Sequence, residues 1–173
     1  MKKTETLILN LCSKKLTEQD ITDFQQNFKI HLPDDFVKHY LSFNGGFPNA
    51  NWSDGIENNC PLRHFFSITY GEDTIEKRAK ELELLDVLPF AMNKIKGYFC
   101  IGINDENYGQ IFYYRKRPIV KNYKETYDMN EIELHCSNFS TFLSNFFFDQ
   151  FYGKVPKPSF GWVEDFDAYT KRW

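Results

Sequence analysis

The stretch "LTEQDITDFQQNFKIHLPDDFVKHYLSFNGG", residues 16–46, reads as two short helices with their boundaries written in. Thr17 is a good N-cap with Asp20 three positions on, and Leu16 with Ile21 forms a hydrophobic staple across that start. Ile21, Phe24 and Phe28 then line one face. "KIHLP" connects to a second helix, whose first turn is expected to hold Pro33, because a missing N–H costs nothing there. Asp34 and Asp35 place negative charge at the positive end of the helix dipole. Phe36, Val37, Tyr40 and Leu41 recur at helical spacing, so one face is apolar. Asn44, Gly45 and Gly46 tolerate the left-handed conformation that ends helices. A phosphate-binding glycine loop precedes a helix, since the N-terminal N–H groups hold the anion. Here the glycines follow one, so they are read as turning the chain.

Working outward, residues 45–63 are rich in Gly, Asn and Pro and read as a loop. Trp52 within it is either plugged back into the core or displayed for binding. "HFFSITY" (64–70) is expected to be a strand. Asp73 with Glu76 opens a third helix, with Ile75, Ala79, Leu82 and Leu85 as its buried stripe. "VLPFAM", "GYFCIGI" and "QIFYYR" follow as strands, the last two joined through the hairpin loop "NDENYG", and "NEIELHC" adds an edge strand. Ser137 is expected to cap a final helix in which Phe139, Phe142, Leu143, Phe146 and Phe147 fall at i, i+3, i+4, i+7 and i+8. Helices first, then a meander of strands interrupted by helices, indicate an α+β fold with a mostly antiparallel sheet of about five or six strands.

A chain of 173 residues suits one domain, and 42% hydrophobic with 18% aromatic residues indicates a packed core. The 18 Phe and 10 Tyr exceed what a modest core needs, so some are expected to face a cleft or a partner. The net charge of −3 reads against a dedicated nucleic-acid binder, whose affinity rests on neutralising phosphates. The run Leu7–Cys12 is too short for an export signal and lacks a small residue before Cys12, so it is read as a short helix or strand on the domain. Nothing else is apolar enough to span a membrane, and a cytoplasmic protein is expected. Cys12, Cys60, Cys100 and Cys136 are scattered with no CxxC, which suits free thiols in a reducing compartment.

Chemistry is hard to assemble. Cys60 and His64 could join His135 and Cys136 around zinc, but adjacent strand residues point to opposite faces, so no metal site is assigned. "NDENYG" fails as a calcium loop, because the twelfth position from Asn104 is Arg115. There is no GxSxG, phosphate-cradling loop or HExxH, and no catalytic residue or cofactor is assigned. The paired acids Asp34/Asp35, Glu72/Asp73 and Asp105/Glu106 fall at helix starts or turns. "FYYRKRPIVKNYK" (112–124) sets cations among aromatics, as platforms for single-stranded nucleic acid do. The competing reading is a hairpin exit with a solvated face.

The order of these motifs resembles the SUKH superfamily, the Smi/Knr-type cell-wall assembly regulators and their bacterial relatives. The hallmark is a helix, a Leu-Pro-acidic start to a second helix, then Asn-Gly-Gly: here Leu32, Pro33, Asp34, Asn44, Gly45 and Gly46. "LPFAMNKIKGYFCIGINDENYGQIFYY" is similar to the family's central strands, and "CSNFSTFLSNFF" to its final helix. The resemblance runs from about residue 16 to 148. Asn93 and Lys94 stand where the family often has an acidic residue and a glycine, so a longer loop is expected there. The resemblance implies one SUKH-like domain over 1–149, a C-terminal extension over 150–173 packing on it, and no catalytic residues. It also implies an immunity protein that neutralises a nuclease or deaminase toxin by direct binding. The alternative is a nucleic-acid-binding or regulatory module using 112–124. Partner contact is expected at Trp52, Asp54 and Glu57 and at Asp105, Glu106 and Tyr108, since interfaces favour Trp and Tyr anchors with charges that steer encounter. The toxin's identity and any small-molecule ligand are not written in the sequence.

Overall fold

The capping box at Thr17 forms as its residue types require. In the computed structural model, which describes residues 9–48, 52–53, 62–94, 97–121, 124–145 and 147–148, helix α1 (Glu18–Phe28) starts there. The Asp20 amide donates to Thr17 Oγ1 at 3.2 Å, and the Thr17 amide donates to the Asp20 carboxylate at 2.8 Å. The Thr17 hydroxyl and amide, with the Tyr70 hydroxyl at 2.7 Å, hold the Asp20 carboxyl down to about 2. Leu16, Ile21 and Phe24 are buried beneath.

Helix α2 (Asp34–Ser42) follows, with Pro33 as its N-cap (φ −60°, ψ 145°), one position earlier than a first-turn proline. Phe36 and Tyr40 are fully buried. The helix ends at Phe43 in extended conformation, not in a left-handed residue. Asn44 therefore does something other than end a helix. Its side-chain amide donates to the carbonyls of Lys14 (2.8 Å) and Ile68 (3.1 Å) and accepts the Ile68 N–H (2.7 Å). It pairs with Ile68 as a neighbouring strand would. The next two residues do turn the chain: Gly45 (φ +71°) and Gly46 (φ +115°) lead into a bridge in which Gly46 and Phe65 exchange backbone bonds at 3.1 and 2.8 Å. A Cβ on Gly45 would lie 2.9 Å from the Ser67 nitrogen, and one on Gly46 2.7 Å from the Asn10 carbonyl oxygen. Backbone passes too close here for any side chain.

Beside these helices lies a five-stranded antiparallel sheet. Its order is β4 (Leu62–Phe65), β5 (Val87–Asn93), β6 (Tyr98–Gly102), β7 (Ile111–Lys121) and β8 (Lys124–Cys136). The earlier strands are two-residue pieces: β1 (Leu9–Asn10) pairs with β2 (Phe47–Pro48), and β3 (Trp52–Ser53) with β9 (Phe147–Phe148). The strand expected at 64–70 is thus β4, shifted toward its start, because Phe66–Tyr70 departs to meet Asn44 and helix α3 (Ile75–Leu82). Thr74, not Asp73, caps α3, through Lys77 N–H at 3.2 Å. Glu83 ends it in left-handed conformation, so the helical period stops and Leu85 is 89% exposed instead of buried.

The last helix, α4 (Phe139–Asn145), is capped by Asn138, whose side chain accepts the Thr141 N–H at 2.8 Å; Ser137 is not the cap. It stops short of Phe147, which lies in β9. Phe139 and Phe142 are fully buried in an edge-to-face set with Phe36, Phe90 and Phe99, ring centroids 4.9–5.6 Å apart. Such pairs favour a fixed geometry beyond mere burial. One face of the sheet carries this core. The other carries a smaller cluster of Val87, Cys100 and Tyr114 with Leu82 and Leu84. Among the described residues, no helix is long and apolar enough to cross a membrane. Residues 150–173 lie outside the described residues.

Candidate partner-binding face

The turn between β6 and β7 is closed by its own side chains. Asn104 and Asn107 each accept the other's backbone N–H, at 3.0 and 3.2 Å, and Asn107 donates from its amide to the Asp86 carbonyl at 3.0 Å. The Ile103 N–H reaches the same carbonyl at 3.1 Å. Gly109 (φ +73°) turns back toward β7, and a Cβ there would lie 3.3 Å from Pro33 Cγ. The turn is therefore wedged between the Glu83–Asp86 segment on one side and the start of α2 on the other.

This fastening leaves Asp105 and Glu106 exposed at the tip. Tyr108 is 43% exposed and lies parallel to His31, 3° between planes with centroids 6.2 Å apart. Partial burial, with Asp34 and Asp35 nearby, raises the Tyr108 phenol above its ordinary value, so it stays a neutral donor. Glu83, Leu85 and Asp86 are exposed on the adjoining turn. The structure thus brings Asp105, Glu106 and Tyr108 beside Pro33 and Asp34 of the Leu-Pro-acidic motif. It adds Glu83, Leu85 and Asp86, which sequence reasoning missed. The face is acidic, fastened by the Asn104 and Asn107 side chains to backbone, and carries an aromatic and a leucine that water reaches.

The other expected contact residues fall elsewhere. Trp52 lies in β3 opposite Phe148, while Asp54 and Glu57 are outside the described residues. Of the motif residues, Leu32 and Asn44 are internal: Leu32 is buried and its N–H bonds Gln25 Oε1 at 2.7 Å, and Asn44 is the buried amide described above, while Asp34 is exposed. Asp35, beside the motif's Asp34, accepts both the Ser140 N–H and its hydroxyl at 2.8 Å, capping α4 from α2.

Two possible chemistries resolve into structure. His64 is bonded to Asp73 at 2.8 Å, and Asp73 accepts from Arg78 Nε at 2.6 Å. Burial would raise Asp73, but the hydrogen bonds from His64 and Arg78 and the Arg78 charge hold it at about 2. The trio ties β4 to α3, with His64 stacked on Phe47, centroids 5.1 Å apart. Cys60, its suggested metal partner, lies outside the described residues, and among those described no three His, Cys, Asp or Glu side chains cluster closely enough to hold a metal. Of the basic stretch 112–124, residues 112–121 lie in β7 and Lys124 opens β8, with 122 and 123 outside the described residues; Arg115 stands opposite Glu131 and next to Tyr113, which is in register with Glu133. Its first cation is thus in register with an acidic position of the neighbouring strand, a pairing that cross-strand neighbours favour.

The sequence matches the SMI1 / KNR4 family (SUKH-1) over residues 15–145. No curated protein and no solved structure matches it.

Proposed function

This chain belongs to the SMI1 / KNR4 family (SUKH-1), and from that premise we infer that it is a non-catalytic binding protein, an immunity protein that neutralises a bacterial toxin by direct contact. The observation that carries the reading is the fastened turn with Asp105, Glu106 and Tyr108 exposed at its tip. A surface that is already rigid loses little freedom on binding, which favours affinity. Its negative charge suits a toxin that handles nucleic acid, because a nuclease or deaminase carries a basic surface for phosphates. Opposite charge accelerates encounter, and an immunity protein must capture its toxin quickly. Tyr108 and Leu85 supply apolar anchors between the acids, and Trp52 with Asp54 and Glu57 is proposed as a second contact region.

Co-expression tests this directly. The chain should rescue a host from the toxin domain of a secreted protein encoded beside it, and should co-purify with that domain. Host death despite folded protein excludes immunity against that toxin. Tight, salt-dependent binding of single-stranded RNA or DNA, weakened by Arg115→Ala, would favour the nucleic-acid module instead.

A further inference from the structure

His31 and Tyr108 come together where the β6–β7 turn meets the start of α2. Their rings are parallel to within 3° with centroids 6.2 Å apart, an offset stack, and water reaches both. The turn holds them there: Gly109, next to Tyr108, lies against Pro33, and the Asn104 and Asn107 side chains close the loop. Asp34 opens α2 on the other side of Pro33 and is exposed. Its neighbour Asp35 uses both oxygens inside the protein, one on the Phe36 N–H at 2.9 Å and the other on the Ser140 N–H and hydroxyl at 2.8 Å. Asp34 uses neither, and among the described residues no Lys or Arg pairs with Asp34, Asp105 or Glu106.

We propose that this spot receives an arginine side chain of the protein partner, its guanidinium stacked on the Tyr108–His31 platform and forked onto the Asp34 carboxylate. The proposal deepens the binding reading above and rests on it. A guanidinium is planar, so it lies flat on a ring while its edge still presents paired N–H donors to a carboxylate. An ammonium is a compact, strongly hydrated charge and cannot do both at once. The exposed rings supply the face and Asp34 supplies the acceptor oxygens. Asp105 and Glu106 on the same turn draw a cation in and turn away a phosphate. Tyr108 is then a stacking platform for a charged side chain, and arginine is one of the residue types that dominate interface energetics.

Hexa-arginine and hexa-lysine, equal in charge, test the proposal when titrated into the full chain at one ionic strength while the His31 and Tyr108 ring signals are followed by NMR. Hexa-arginine should bind at least roughly threefold more tightly than hexa-lysine and shift both rings. Tyr108→Leu keeps the charge and should erase that preference, while Tyr108→Phe should retain it. Asp34→Asn should weaken hexa-arginine more than Asp105→Asn, which removes the same charge from the same face. All three positions are exposed, so each variant should melt at the parent's temperature. Equal affinity for the two peptides would overturn the proposal. So would a preference that survives Tyr108→Leu, or equal losses at Asp34 and Asp105. Host rescue without an arginine preference overturns this proposal alone. An arginine preference in a chain that gives no rescue supports it and counts only against the immunity reading.

Discussion

Asn44 satisfies both backbone groups of Ile68 and the carbonyl of Lys14 from inside the protein, at 2% exposure. Asn44→Ala leaves the buried Ile68 N–H unpaired and takes one donor from each of the Ile68 and Lys14 carbonyls, and should cost about 1–3 kcal/mol, read as a lower urea midpoint with unchanged slope. The sequence marks Asn44 only as a residue that tolerates a helix end. Its real role depends on Ile68, 24 positions away, which no local pattern names. The glycines beside it are legible because their requirement is local: positive φ and no room for a Cβ. His39 makes a different residue-scale point. Its ring is buried among Tyr40, Phe43, Phe65 and Phe139, and burial lowers it from an ordinary 6.5 to about 4. Between those values the unfolded chain binds the proton and the folded one does not, so stability rises with pH across the window and is lost as pH falls. Some 3 kcal/mol, about 2.5 units of pH at 1.36 kcal/mol each, is at stake. His39→Phe should flatten the stability profile between pH 6.5 and 4 relative to the parent; an unchanged slope would mean that His39 titrates normally.

At the scale of elements, α4 is the instructive case. Its apolar spacing is legible, and Phe139 and Phe142 are buried as that spacing implies. Its boundaries are not, since Asn138 replaces Ser137 as cap and the chain leaves the helix before Phe147 to pair with β3. The tertiary cap from Asp35 is invisible in sequence because it joins residues 105 positions apart. Asp35→Ala should therefore cost about 1–2 kcal/mol and loosen α4, seen as faster amide exchange at Ser140. Asp34→Ala, on the exposed side of the same turn, should change stability by no more than about 0.5 kcal/mol. Equal effects at the two positions would remove the capping role. The hairpin of β7 and β8 is also longer than its apolar runs indicate, because register pairing continues through residues that carry no alternation.

For the whole molecule, the α+β class and antiparallel meander follow from the order of periodic segments, while the two-sided use of the sheet does not. A sequence distinguishes alternating residues but not which face a helix will cover. The candidate face shows the same limit. Asp105, Glu106 and Tyr108 are readable as a turn with displayed side chains, yet their placement against Pro33 and Asp34 and beside Asp86 is set by the fold. The face is exposed, so charge reversal there should leave folding intact and alter only encounter with a basic partner. The decisive measurement is the low-salt association rate of Asp105→Lys/Glu106→Lys protein with the toxin domain that the parent is proposed to neutralise. The expected result is association roughly tenfold slower, with an unchanged melting temperature; an association rate equal to the parent's would contradict the assignment of this face.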